Sequence, residues 1–144
     1  MGTRADFYIG KGKEAEWVGS IAWDGYPDGI DKDLLSSTTE EEYRDNLSKF
    51  FEGRRDVTRP DQGWPWPWVS SRNTDYSYWL FDGKVHASCF GHVLYDPFDK
   101  SMDWDPDTDE DPRFEGEEIE CPTFSKDQMA EPGTSRSGIM VFGV

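Results

Sequence analysis

Positive charge is scarce in this chain. It carries 15 Lys and Arg against 30 Asp and Glu, for a formal net charge of -15 and a pI near 4.3. No basic patch stands out, which argues against a protein that binds nucleic acid directly by neutralising its phosphates. The same balance disfavours an anionic membrane surface. Cysteine is scarce too: Cys89 and Cys121 are too few for a disulfide framework. Long apolar runs are missing, and no stretch approaches the roughly 18 residues of a membrane-spanning helix. No positively charged leader followed by an apolar stretch opens the sequence, so the expectation is a small, full-length cytoplasmic protein.

The hydrophobic fraction is only 35%, but aromatic residues make up 15%, with seven Trp. Large aromatic side chains bury much area each, and disordered chains are poor in them, so wholesale disorder is excluded. At 144 residues the expectation is one domain over 1–144 with a single sizeable core.

The stretch that organises the rest is 76–90, YSYWLFDGKVHASCF. Asp82-Gly83 suits the positive φ angles of a two-residue type I′ turn. That turn sets Leu80 opposite Val85, Tyr78 opposite Ala87 and Tyr76 opposite Cys89, all on one apolar face. Such a hairpin must bury that face under other elements. Residues 5–10 and 16–23 read as two further strands joined by a charged turn. In the second, Trp17, Gly19, Ile21 and Trp23 fall on one side, and Gly19 suggests a bulge or a close backbone approach. Residues 24–31, DGYPDGID, are turn chemistry, and Leu34 and Leu35 suit a short helical turn.

Residues 37–53 predict the main helix. Ser37, Thr38 and Thr39 each stand three positions before a glutamate, which is capping-box spacing. Tyr43, Leu47, Phe50 and Phe51 make one apolar stripe, and Gly53 suits a C-terminal cap. Residues 56–74 form a loop around GWPWPWV, whose prolines force an extended or polyproline-like path. Residues 91–95 either extend the hairpin's second strand past Gly91 or begin another.

Beyond residue 95 the composition changes. The stretch 95–131 holds fourteen acidic residues against Lys100, Arg113 and Lys126, and so carries 11 of the 15 net negative charges. It is expected to be a long acidic loop with a short strand near 118–121, pinned by Phe98, Trp104, Phe114 and Phe124. Residues 133–138 read as a polar link and 139–144, IMVFGV, as a final strand.

The alternating Asp103, Asp105, Asp107 and Asp109 have the flavour of a calcium loop, because hard cations want clustered oxygens. The EF-hand pattern fails: counted from Asp105, the sixth position is Glu110 where Gly is needed, and the twelfth is Gly116 where Glu is needed. A solvated acidic loop is the plainer reading. The sharper one is a surface for a basic partner, since carboxylates spaced along a loop can imitate a nucleic-acid backbone. Trp64, Trp66 and Trp68 either cover an open side of the sheet or offer a stacking platform. His86, Cys89 and His92 lie close in sequence, but strand alternation sends His86 and Cys89 to opposite faces, against a Cys-His pair or a closed metal site. Gly10-Lys11-Gly12 is too short for a phosphate loop, and Asp24, Asp28 and Asp31 are ordinary turn residues.

The opening MGTRADFYIGKGKEAEWVGSIAWDGYPDGI resembles the start of a group of small uncharacterised proteins of bacteria and their phages or prophages. The likeness covers about the first thirty residues. It implies a small accessory protein rather than a metabolic enzyme, and carries no catalytic residue with it. A phage origin would suit an inhibitor or nucleic-acid mimic acting on a host or defence protein.

The expected fold is α+β: a mostly antiparallel sheet, one long helix packed on it, and a long acidic loop at about 96–131. The expected function is non-enzymatic binding of a basic protein, with no cofactor, metal or catalytic residue. The candidate binding residues are Asp103, Asp105, Asp107, Asp109, Glu110, Asp111, Glu115, Glu117 and Glu118, with Trp64, Trp66 and Trp68 as apolar anchors. The alternatives are a small hydrolase or transferase using Asp24, His86 and His92, and a calcium-stabilised module whose melting temperature rises with calcium.

Overall fold

A computed structural model describes residues 2–102, 107, 111–114 and 117–128. Five strands, β1 (Ala5–Ile9), β2 (Glu16–Ile21), β3 (Val57–Thr58), β4 (Tyr76–Phe81) and β5 (Lys84–Cys89), form one sheet in the order β3-β2-β1-β4-β5. The β1–β2, β2–β3 and β4–β5 pairs are antiparallel, and the central β1–β4 pair is parallel. The architecture is therefore α+β with a mixed sheet. β1 sits in the middle because it joins two hairpins. One is its own with β2, and the other arrives after the chain has crossed the sheet through residues 59–75.

The β4–β5 hairpin has the predicted register, with Tyr76 opposite Cys89, Tyr78 opposite Ala87 and Leu80 opposite Val85. Asp82 and Gly83 take φ 52 and 72, the left-handed pair that a type I′ turn requires. All six of those facing side chains are buried. They share one core with Ala5, Phe7, Ile21 and Val57 from the other strands.

Two helices cover that face. Helix α1 (Lys32–Leu35) is one turn, and α2 (Glu40–Phe51) has 12 residues. The start predicted at 37 moves to 40 because Thr39 is the residue that caps. Its side chain accepts from Glu42 N at 3.1 Å, while Glu42 Oε1 accepts from Thr38 N at 2.7 Å. Three glutamates then occupy the first turn, where the helix dipole favours them. Tyr43, Leu47 and Phe51 point into the core. Gly53 follows at φ 78, as a C-terminal cap demands.

Gly19 is both a bulge neighbour and a close approach. The β1–β2 register slips between Phe7 and Tyr8, so Phe7 faces Gly19 and Tyr8 faces Trp17, with Val18 as the extra residue. The slip sends Trp17 to the opposite side of the sheet from Ile21, which corrects the single-face assignment made from strand alternation.

Residues 91–95 do not extend β5. Phe90 and Gly91 take φ 52 and 71, His92 N donates to Cys89 O at 3.1 Å, and the chain turns back so that Tyr95 bridges Ala87. Residues 117–125 carry no regular secondary structure, so no strand forms at 118–121. The strand expected at 139–144 lies outside the described residues. Among the described residues no helix is long and apolar enough to cross a membrane.

A Cβ on Gly19 would sit 2.6 Å from the Phe51 ring, on a backbone at φ 148. Gly19→Ala is therefore expected to destabilise the fold by about 1–3 kcal/mol, read from the urea midpoint. Gly53→Ala meets no atom within 4 Å, so it tests backbone strain alone and should cost less.

Candidate interaction surface

The second face of the sheet is covered by the Trp-Pro loop and residues 119–124. Its strands present Asp6, Tyr8, Ser20, Ser77 and Trp79, an unusually polar set for a covered face. Prolines at 65 and 67 deprive the loop of two N–H donors, and the indoles supply donors instead. Trp66 Nε1 donates to Asp6 Oδ1 at 2.7 Å, Trp64 Nε1 to Trp68 O at 2.6 Å, and Trp68 Nε1 to Thr74 Oγ1 at 2.9 Å. Trp64 stacks on Phe124 at 3.9 Å, with Trp17 edge-on to both. Arg4 lies over the Trp66 and Trp68 rings. Trp64 and Trp66 are only 1% and 4% exposed, so they are internal and not surface anchors; Trp68 is half-buried.

Asp6 is the hub of this face and is fully buried. Besides Trp66, it accepts from Ser20 Oγ at 2.5 Å and from Ser71 Oγ at 2.6 Å. Ser20 Oγ accepts in turn from Trp17 Nε1, and Ser71 Oγ shares a hydrogen with the Tyr8 hydroxyl. Burial raises the Asp6 carboxyl above its ordinary value, and the bonds from Ser20, Ser71 and Trp66 pull it part of the way back. With no solvent exposure, the cluster is a fastening between sheet and loop.

The acidic stretch is tied to the sheet at several points. Arg113 grips Asp111 through two nitrogens at 2.7 and 2.8 Å and holds its carboxyl below the usual range. Arg113 also donates to the Tyr76 hydroxyl. Arg72 donates to Ile119 O at 3.0 Å and pairs with Glu118 at 3.6 Å, while Ile119 N donates to Gly91 O. Phe124 N donates to Val69 O, and the Phe124 ring is buried against Trp64. Of the predicted binding residues, Asp111 is half-buried in its arginine grip, and Asp107, Glu117 and Glu118 are exposed. Asp103, Asp105, Asp109, Glu110 and Glu115 lie outside the described residues, as does Trp104.

Next to these ties, Phe90 occupies the left-handed region, where a side chain other than Gly, Asn or Asp costs about 1–2 kcal/mol. Its ring is 38% exposed and packs against Phe114, itself 43% exposed. The sequence marked Phe114 as a pin of the acidic stretch and Gly91 as a break after the strand, but nothing in it marked Phe90 as Phe114's neighbour.

The alternative catalytic residues are not drawn together. His86 stacks on Phe81 at 4.0 Å on the second face, and burial lowers its pKa. Cys89 lies in the first core and Cys121 under the second face. Burial pushes their thiols up to about 11 and about 12, far from a reactive thiolate. A cleft of about 580 Å³ opens between the β1–β2 turn and residues 94 and 119–120. Trp79, Leu94 and Ile119 line it with Lys11, Lys13, Glu14 and Glu120, and none of Asp24, His86 or His92 does. Among the described residues, no three of His, Cys, Asp and Glu are grouped to hold a metal ion. The chain matches no protein-family model, no curated protein and no solved structure.

Two substitutions test the Asp6 hub. Asp6→Leu orphans three buried donors and is expected to destabilise the protein by at least about 3 kcal/mol, measured by denaturant melting. Asp6→Asn tests the pH dependence. A folded-state pKa above the ordinary 3.8 means that the group's contribution is fullest below 3.8 and is lost as pH rises through the folded value. The stability of Asp6→Asn relative to the native chain should therefore rise with pH above 3.8, and a pH-independent difference would refute the raised pKa.

Proposed function

We propose that this chain is a small, non-enzymatic acidic protein that binds a basic protein through the surface carried by its acidic segment. The observation that supports this best is the fastening of that segment. Arg113, bonded to the Tyr76 hydroxyl, holds Asp111, Arg72 holds residues 118–119, and Trp64 holds Phe124, while Glu117 and Glu118 remain exposed. Carboxylates held on a supported backbone lose less freedom on binding than those on a free tail. The net charge of -15 adds long-range attraction for a basic partner and repulsion of nucleic acid and anionic lipid. The long helix and extended acidic loop expected from the sequence belong to this same picture: α2 and the sheet as scaffold, the loop as contact surface. The resemblance of the first thirty residues to phage and bacterial accessory proteins favours an inhibitor, or a mimic of a nucleic-acid backbone, working in the cytoplasm on a host or defence protein.

The decisive experiment is capture from host lysate at low and high salt, with the bound proteins identified. A basic, nucleic-acid-handling protein retained at low salt and released at high salt is the expected result. Joint reversal by Asp105→Lys, Asp107→Lys and Asp109→Lys should then weaken binding to that protein at least about tenfold without unfolding the chain, as checked by circular dichroism. Unchanged affinity after the triple reversal would end the proposal.

A further inference from the structure

The cleft of about 580 Å³ beside the β1–β2 turn has an apolar floor and charged walls. The floor is Trp79, Leu94 and Ile119, which pack together with Tyr8 and Phe81. Trp79 is stacked on Tyr8 at 4.0 Å, and its Nε1 already donates to Ser77 Oγ at 2.8 Å. The indole is therefore fixed and has no free donor to present. Both walls are tied down as well. On one, Gly10 N donates to Leu80 O and Ala15 N to Gly12 O, which sets the turn that carries Lys11, Lys13 and Glu14. On the other, beside Glu120, Ile119 N donates to Gly91 O, and Ile119 O accepts from two nitrogens of Arg72 at 3.0 and 3.2 Å.

The charges on these walls differ from those elsewhere on the chain. Acids outnumber bases two to one overall, yet here two lysines meet two glutamates. Other neighbours of opposite sign pair: Arg44 with Glu16 and Glu40, Lys49 with Asp45, and Lys84 with Asp96. Among the described residues, no carboxylate lies within ion-pair distance of Lys11 or Lys13, and no cation within that distance of Glu14 or Glu120. The Lys11 ammonium stands instead over the Phe81 ring, at 5.2 Å. The volume lies within the roughly 300–1,000 Å³ of small-ligand sites, which join a mostly apolar lining to a few convergent polar groups. A bare anion would be opposed by the glutamates and a bare cation by the lysines. A ligand with one charge of each sign is complementary to both.

We propose that this cleft binds a small zwitterion with a large apolar body, the chemistry of an aromatic α-amino acid. Its carboxylate faces Lys11 and Lys13, its ammonium faces Glu14 and Glu120, and its ring lies against Trp79. The site is separate from the binding of a basic protein and does not depend on it.

The test uses three probes with one ring and different charges: phenylalanine, 3-phenylpropanoate, which lacks the ammonium, and phenethylamine, which lacks the carboxylate. Each is titrated into the full chain at low salt and followed by amide and indole chemical shifts. Phenylalanine is expected to bind about two- to fivefold more tightly than either analogue, with a saturable shift of the Trp79 indole N–H. Glu14→Gln with Glu120→Gln should abolish its advantage over 3-phenylpropanoate and leave that over phenethylamine. Lys11→Gln with Lys13→Gln should do the reverse. All four side chains are exposed, so both double variants should keep the native melting temperature. Equal affinity for the three probes, tightest binding by either analogue, or advantages that survive both double variants would overturn the proposal. So would the lack of a saturable shift at Trp79.

Discussion

The structure depends on one buried carboxylate. Asp6 lies on the central strand, facing the side that α2 does not cover, and accepts hydrogen bonds from β2, from the Trp-Pro loop and from the turn at Ser71. A charge in that position is tolerable only while its donors stay in place. Removing any one of these elements exposes or orphans the group, so it commits three separate stretches of chain to one geometry. The apolar face under α2 can tolerate exchanges of similar volume. The Asp6 face has no such freedom, because its partners are specified atom by atom.

The consequence reaches the surface. Trp66 is anchored on Asp6, Trp64 stacks on Phe124, and Phe124 fixes the far end of the acidic stretch. Its middle is fixed by Arg113 on Tyr76, a residue of the strand beside β1. The described parts of a segment whose own composition offers no core are thus tied to both faces of the sheet.

Local signals were legible where one stretch of chain settles its own geometry. Asp82-Gly83 and the alternation around it specify the hairpin register, and Thr39, Glu42 and Gly53 specify the ends of α2. Gly19 announced an irregularity but not its effect, because a one-residue slip reverses every later facing and carried Trp17 across the sheet. The parallel β1–β4 pairing was not legible, since nothing in either strand encodes which distant neighbour it takes. Nor was the role of Asp6, a single acid among aromatics whose meaning resides in donors up to 65 residues away. The contact between Phe90 and Phe114 was hidden for a related reason: its two rings come from segments that meet only in the folded chain.

The position of β1 also sets an order of events during synthesis. Of the five strands of the sheet it is made first, it lies at the centre, and its parallel partner, Tyr76–Phe81, follows only after β2, both helices and β3. Until then the β1–β2 hairpin carries an unpaired edge and an uncovered aromatic face, a state open to wrong pairing. Pairings so distant in sequence form slowly because a long loop must close first. The sheet is therefore most vulnerable while the residues between β2 and β4 are being translated.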